Sequence, residues 1–129
     1  MNIIMLVGAP NTGKTTTLNH LFNKLKDDYN GVVVEKCPHG NNQDYFYIIN
    51  VGKCHIAIAT MGDTVYEIKN FLEKAKVSNC DWLICANSLK LYAFKLLEEC
   101  EMGFTLRKSE LSNEEENKVI NKIIDIFAK

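Results

Sequence analysis

The spacing of apolar and polar positions changes several times along this 129-residue chain, and each change marks an element. Asn2-Ile3-Ile4-Met5-Leu6-Val7 is an apolar run of strand length ending at Gly8, and reads as a strand buried on both faces. Beyond Lys14 the period becomes helical. Leu18, Leu21, Phe22 and Leu25 share one face, and Asn19, Asn23, Lys24 and Lys26 fill the other. A turn cluster from Lys26 to Gly31 ends that helix, and Val32-Val33-Val34-Glu35 reads as a buried β-branched strand. Lys36 to Asp44 is a polar loop containing Gly and Pro, and is expected to move more than its surroundings.

Two strand-like runs, Tyr45 to Val51 and Cys54 to Thr60, flank Gly52-Lys53, which predicts an antiparallel hairpin. The second run is apolar throughout and therefore central, which makes the first an edge strand. Asp63 or Thr64 can cap a helix carrying Val65, Ile68, Phe71, Leu72 and Ala75. Trp82 to Ala86 reads as a buried strand. Ser88 to Cys100 reads as a helix with Leu89, Tyr92, Ala93, Leu96 and Leu97 inward, and Phe104 to Arg107 as a last strand. Ser112 with Glu115 forms a capping box for a final helix bearing Val119, Ile120, Ile123, Ile124 and Phe127. The run Glu114 to Glu116 then puts negative charge at that helix's N-terminus. The alternation predicts one α/β domain over residues 1–129, with a mostly parallel sheet between helices.

Composition leaves this picture standing. Apolar residues make up 47% and charged ones 24%, as in ordinary globular chains. With 15 basic and 16 acidic residues the net charge is −1, which offers no general attraction to nucleic acid or an anionic membrane. No stretch has the apolar length needed to span a bilayer, and the N-terminal run is too short for a signal-peptide core, so a cytoplasmic location is expected. Five cysteines without a C-x-x-C pair suit reduced thiols better than a disulfide framework. Cys37, His39, Cys54 and His55 are four possible zinc ligands. Their spacing fits no common zinc pattern, however, and the neighbours Cys54 and His55 face opposite sides of a strand, so thiols packed as small hydrophobes are expected instead.

The chemistry is concentrated in Gly8-Ala9-Pro10-Asn11-Thr12-Gly13-Lys14-Thr15, which matches G-x-x-x-x-G-K-[ST] at every fixed position. Backbone N–H groups can wrap a polyphosphate only where the turn carries little side chain and reaches positive φ, which Gly8 and Gly13 allow. Lys14 supplies a point charge for the β- and γ-phosphates, and the Thr15 hydroxyl is the expected Mg²⁺ ligand. The helix that follows turns its free N–H groups and positive dipole end toward the anion. In open α/β sheets ligands bind beyond the carboxyl ends of the strands, so this loop, Gly62-Asp63 and Asn87-Ser88 should meet on one face. Thr60 ends the hairpin's second strand, so the first carboxylate there is Asp63. It is the candidate second Mg²⁺ ligand or the group that positions a water, set against a plain capping role.

On Gly8, Gly13, Lys14 and Thr15 the chain resembles the P-loop NTPase superfamily. The resemblance implies a three-layer α/β/α fold with a mostly parallel sheet and one antiparallel edge strand, and a Thr16 hydroxyl given to the α-phosphate. The hairpin feeding Met61-Gly62-Asp63 is similar to the Ras-like GTPase arrangement. Asp-x-x-Gly is missing there, and Asn121-Lys122-Ile123-Ile124-Asp125 is one residue too long for the guanine-reading motif, so guanine specificity lacks support and ATP is expected, with GTP left open. The expected function is that of a small Mg²⁺-dependent nucleoside-triphosphate binding protein and slow hydrolase, with Lys14 and Asp63 in the catalytic roles. Nucleotide or nucleoside kinases are the alternative, but they clamp phosphoryl groups with arginines, and this chain has Arg107 alone beside 14 lysines. A third reading is a nucleotide switch whose catalytic groups arrive on a protein partner. Asn87, Ser88, His20 and the Cys37 to Gln43 loop complete the candidate site elements.

Overall fold

The apolar runs do become strands, and all six join one sheet. In a computed structural model, which describes residues 1–40, 43–88, 91–109 and 111–128, the strands are β1 (Asn2–Val7), β2 (Val32–Pro38), β3 (Tyr45–Val51), β4 (Cys54–Ala59), β5 (Trp82–Asn87) and β6 (Met102–Arg107). Their order across the sheet is β2-β3-β4-β5-β1-β6. β4, β5, β1 and β6 pair in parallel, with Ile4 opposite Ile84 on one side and Phe104 on the other. The helices are α1 (Lys14–Asp28), α2 (Val65–Val77) and α3 (Asn113–Phe127), with a 3₁₀ helix over Leu91–Glu99.

Each strand splits its side chains between two apolar clusters, because successive residues point to opposite faces. One cluster joins Ile4 and Leu6 of β1 to Leu18, Leu21 and Leu25 of α1 and to Ile120 and Ile123 of α3. The other joins Ile3 and Met5 to Ile68, Phe71 and Leu72 of α2 and to Leu96. The central strands β1 and β5 are buried almost throughout, as their uninterrupted apolar sequences require. No helix among the described residues is long and apolar enough to cross a membrane.

The expected three-layer P-loop fold, with a mostly parallel sheet and one antiparallel edge strand, is not what the chain forms. It is a small mixed α/β domain whose six-stranded sheet is antiparallel along one side, where β3 runs against both β2 and β4. The error began with Val32-Val33-Val34. Three β-branched apolar residues read as a buried strand, and the apolar run after Gly52-Lys53, read as central, put the Tyr45 to Val51 strand at the edge. These valines are in fact exposed by 64%, 38% and 59%, and β2 itself is the edge, while β3 lies inside with Phe46, Tyr47, Ile48 and Ile49 buried. β-Branching fits a pleated strand whether or not a layer covers it, so propensity alone could not tell edge from interior.

Smaller differences follow the same logic. β2 extends to Pro38, into the span read as loop. The segment after β5 is 3₁₀ where an α-helix was expected. Leu96 is buried and Leu97 partly so, while the side chains of Leu89, Tyr92 and Ala93 lie outside the described residues.

Candidate functional site

The Gly8–Thr15 loop links β1 to α1 at the carboxyl end of the parallel strands, and two of its positions strongly favour glycine. Gly13 sits at φ +86°, in the left-handed region. A Cβ on Gly8 would lie 2.2 Å from the carbonyl oxygen of Lys108, whose N–H donates to Val7 O at 2.8 Å. The segment after β6 thus presses directly on the loop's first residue. Thr12 Oγ1 closes the turn by donating to Ala9 O at 2.8 Å.

α1 starts at Lys14 with Gly13 as its N-cap, and no side chain caps it. The other two helices differ: Thr64 accepts from Glu67 N–H at the start of α2, and Ser112 accepts from Glu115 N–H at the start of α3. The first-turn N–H groups of α1, without a side-chain partner and at the positive end of the dipole, form a ready seat for an anion.

Lys14 is 7% exposed, and its ammonium donates to Gly8 O at 2.8 Å and Ala9 O at 2.7 Å. These bonds use two of its three N–H donors and hold the head group under the loop. Burial draws its pKa below the usual 10.5, and the negative charge of Asp63 partly opposes that shift.

Thr15 reaches toward the β3–β4 hairpin. Its hydroxyl lies 3.1 Å from Thr60 O and 3.2 Å from Asp44 Oδ1. The buried Thr60 hydroxyl lies 3.4 Å from the same Asp44 oxygen and accepts from Tyr45 N–H at 3.0 Å. Asp44 is the residue just before β3, and its backbone is fastened on several sides. Asp44 O accepts from His39 N–H at 2.9 Å, and the neighbouring Gln43 O accepts from the Asn19 amide of α1 at 2.9 Å. Asn19 in turn receives Tyr47 OH at 2.6 Å, and the Tyr47 ring stacks on Phe22 with centroids 3.7 Å apart.

Asp63 stands on the other lip of the cleft. It is exposed, and Ser88 Oγ donates to its Oδ1 at 3.2 Å. Capping of α2 falls to Thr64, whose box with Glu67 is complete, so the Asp63 side chain is not consumed as a cap. Between the two lips lies a cleft of about 490 Å³ bordered by Lys14, Thr15, Thr16, Asp44, Asp63 and Ser88, with Pro10, Asn11 and Gly13 also lining it. That volume lies within the usual range of about 300–1,000 Å³ for small-ligand sites.

The other sequence candidates divide. Gly8, Ala9 and Thr12 shape the loop. Ser88 joins the cleft, while Asn87 is buried and gives its carbonyl to Gly8 N–H at 3.2 Å. His20 pairs with Glu116 of α3. His39 contacts Glu67 and Phe71 near one end of β3, and His55 bonds Asn50 near the other, so the Cys37, His39, Cys54 and His55 group does not converge. Arg107 is exposed at the end of β6.

Two residues went unremarked in the sequence as site members. Asp44 was legible only as the last position of a polar loop. Lys108, 1% exposed and 3.1 Å from Glu115 Oε1, had no signal, because its burial depends on the glycine loop and on Glu115 of α3, which meet it only in the fold. No protein-family model, no curated protein and no solved structure matches the chain, so the cleft itself carries the functional argument.

Proposed function

We propose that the chain binds a magnesium nucleoside triphosphate, with ATP the first candidate, in the cleft beneath Gly8–Thr15 and hydrolyses it slowly. The observation that carries this reading is the Lys14 ammonium, buried and anchored on Gly8 O and Ala9 O beside the uncapped N-terminus of α1. A buried cation next to free helix N–H groups is a costly arrangement without an anion, and a polyphosphate satisfies both.

In this reading the third Lys14 N–H meets a β- or γ-phosphate oxygen, and the α1 N-terminus wraps the β-phosphate. Thr16 borders the cleft where its hydroxyl can serve the α-phosphate. The donor set about Thr15, a hydroxyl with a carboxylate and a carbonyl close by, is hard oxygen throughout and suits Mg²⁺. Bound there, the ion neutralises charge on the β- and γ-oxygens. In the same reading Asp63, exposed and hydrogen-bonded by Ser88, orients a water. The water oxygen bonds to the γ-phosphorus, the bond from that phosphorus to the β,γ-bridging oxygen breaks, and the diphosphate leaves with the electron pair. The water's proton goes to solvent.

Slow turnover follows from the cleft's charges. Among the described residues bordering it the cation is Lys14, and no arginine joins it to stabilise the charge that develops in transfer. The same shortage speaks against the kinase alternative and leaves room for a partner-supplied group.

The test is equilibrium binding of the four nucleoside triphosphates with and without Mg²⁺, followed by single-turnover phosphate release. Binding at micromolar levels with release of inorganic phosphate is the expected result. Failure of every triphosphate to bind overturns the reading, and transfer to an added nucleoside or monophosphate replaces hydrolase with kinase.

A further inference from the structure

We infer that Asp44, not Asp63, is the carboxylate that completes the Mg²⁺ shell of Thr15. The inference rests on the triphosphate reading above. β4 ends at Ala59 and is followed by Thr60, where an acidic side chain would ordinarily stand beside the loop, and the missing carboxylate is delivered by Asp44, just before the adjacent strand β3.

The geometry that delivers it is specific. Thr60 uses its backbone and side chain together: its N–H donates to Tyr45 O at 3.1 Å and its Oγ1 accepts from Tyr45 N–H at 3.0 Å. These bonds lock the start of β3 to the end of β4, and Asp44 immediately precedes that lock. Its Oδ1 then falls 3.2 Å from Thr15 Oγ1 and 3.4 Å from Thr60 Oγ1. Asn19 holds Gln43 O and His39 N–H holds Asp44 O, so the residue is set in place from α1 and from the residue just past β2 as well.

A cation on Thr15 takes the lone pair of the hydroxyl oxygen, and the hydroxyl proton is then free to turn toward Thr60 O at 3.1 Å. The Asp44 oxygen, already beside Thr15, becomes either a direct ligand or the acceptor for a metal-bound water. Mg²⁺ keeps several waters and commonly takes only one or two carboxylates, so both arrangements are open to it. Asp63 is differently placed. Its hydroxyl partner is Ser88, it is exposed, and three residues, Thr60-Met61-Gly62, separate it from the end of β4.

The experiment measures Mn²⁺ as the probe ion, by electron paramagnetic resonance, in complexes with a non-hydrolysable ATP analogue. Wild type, Asp44→Asn and Asp63→Asn are compared. Asp44→Asn is expected to weaken Mn²⁺ by about tenfold or more, in line with the loss of a metal-orienting carboxylate. Its affinity for the metal-free analogue should hold or rise, since a negative charge near the phosphates is gone. Asp63→Asn should leave Mn²⁺ affinity within about twofold of wild type. The opposite pattern overturns the inference while leaving nucleotide binding intact. Absence of analogue binding to wild type overturns the triphosphate reading and this inference with it. Anomalous scattering from Mn²⁺ in wild-type crystals with the analogue gives a check without substitution. A peak bridging Thr15 and Asp44 supports the assignment, and a peak bridging Thr15 and Asp63 refutes it.

Discussion

Replacing Lys14 with Met separates what the buried ammonium does for the ligand from what it does for the fold. The methionine keeps the length and apolar stem but removes the charge. On the ligand side it deletes one charge-assisted bond to phosphate, worth about 1.5–3 kcal/mol, which corresponds to a loss of affinity of about 10- to 150-fold. On the fold side two contributions oppose each other. Gly8 O is buried and loses its donor, at a cost of about 1–3 kcal/mol, whereas Ala9 is exposed and its carbonyl can bond water. Against this, the ammonium no longer has to be desolvated, the same penalty that draws its pKa below 10.5. The net change in stability should be about 1 kcal/mol or less, a Tm shift of roughly 3–6 °C.

The pH dependence gives an independent reading of the same penalty. In the window below 10.5 and down to the lowered folded-state pKa, the unfolded chain binds more protons at this lysine than the folded chain does. Wild-type stability from Lys14 therefore rises with pH across that window, and Lys14→Met removes the rise. Calorimetric titration with nucleotide and urea unfolding across the pH series check both halves. Unchanged affinity refutes the phosphate role. A wild-type advantage that shrinks as pH climbs refutes the buried-charge argument.

Two further predictions rest on single distances or environments. Gly13→Ala forces a side chain into φ +86° and sets its Cβ 2.8 Å from Leu111 Cδ2. It should cost about 1–2 kcal/mol in urea unfolding, and a loss under about 0.5 kcal/mol would show that the turn relaxes. Cys37 is exposed, whereas Cys85 is buried with its thiol pushed up to about 12. An aromatic disulfide reagent should therefore label Cys37 in the native protein and Cys85 only on unfolding, and equal rates by peptide mapping would contradict the packing described for β5.

What could be read in the chain was whatever one element imposes on itself. The Gly8–Thr15 spacing, the strand before it, the inward faces of α1, α2 and α3, and the Thr64 and Ser112 caps are all local patterns, and each is present. What could not be read was set by neighbours far along the chain. Whether Val34 is covered depends on what lies over β2, and Asp44 meets Thr15 only because Thr60 staples β3 to β4. Glu115 shows both at once. Its N–H takes the expected Ser112 cap, while its carboxylate goes to Ser109 and Lys108, residues that no capping pattern includes.

The place of β1 in the sheet has a consequence for how the molecule is made. β1 precedes the other five strands in sequence, yet its partners are β5 and β6, with Asn2 opposite Trp82 and Met102, separations of 80 (82 − 2) and 100 (102 − 2) residues. The β2-β3-β4 side, by contrast, is assembled from consecutive segments and can zip as soon as it emerges. Closing β1 into the sheet waits until β5 and β6 have been made, a long loop closure that belongs to the slower end of folding. Gly8 and Lys108 meet only at that last step, so a nascent or truncated chain carries the glycine-rich motif without the seat that makes it a binding site.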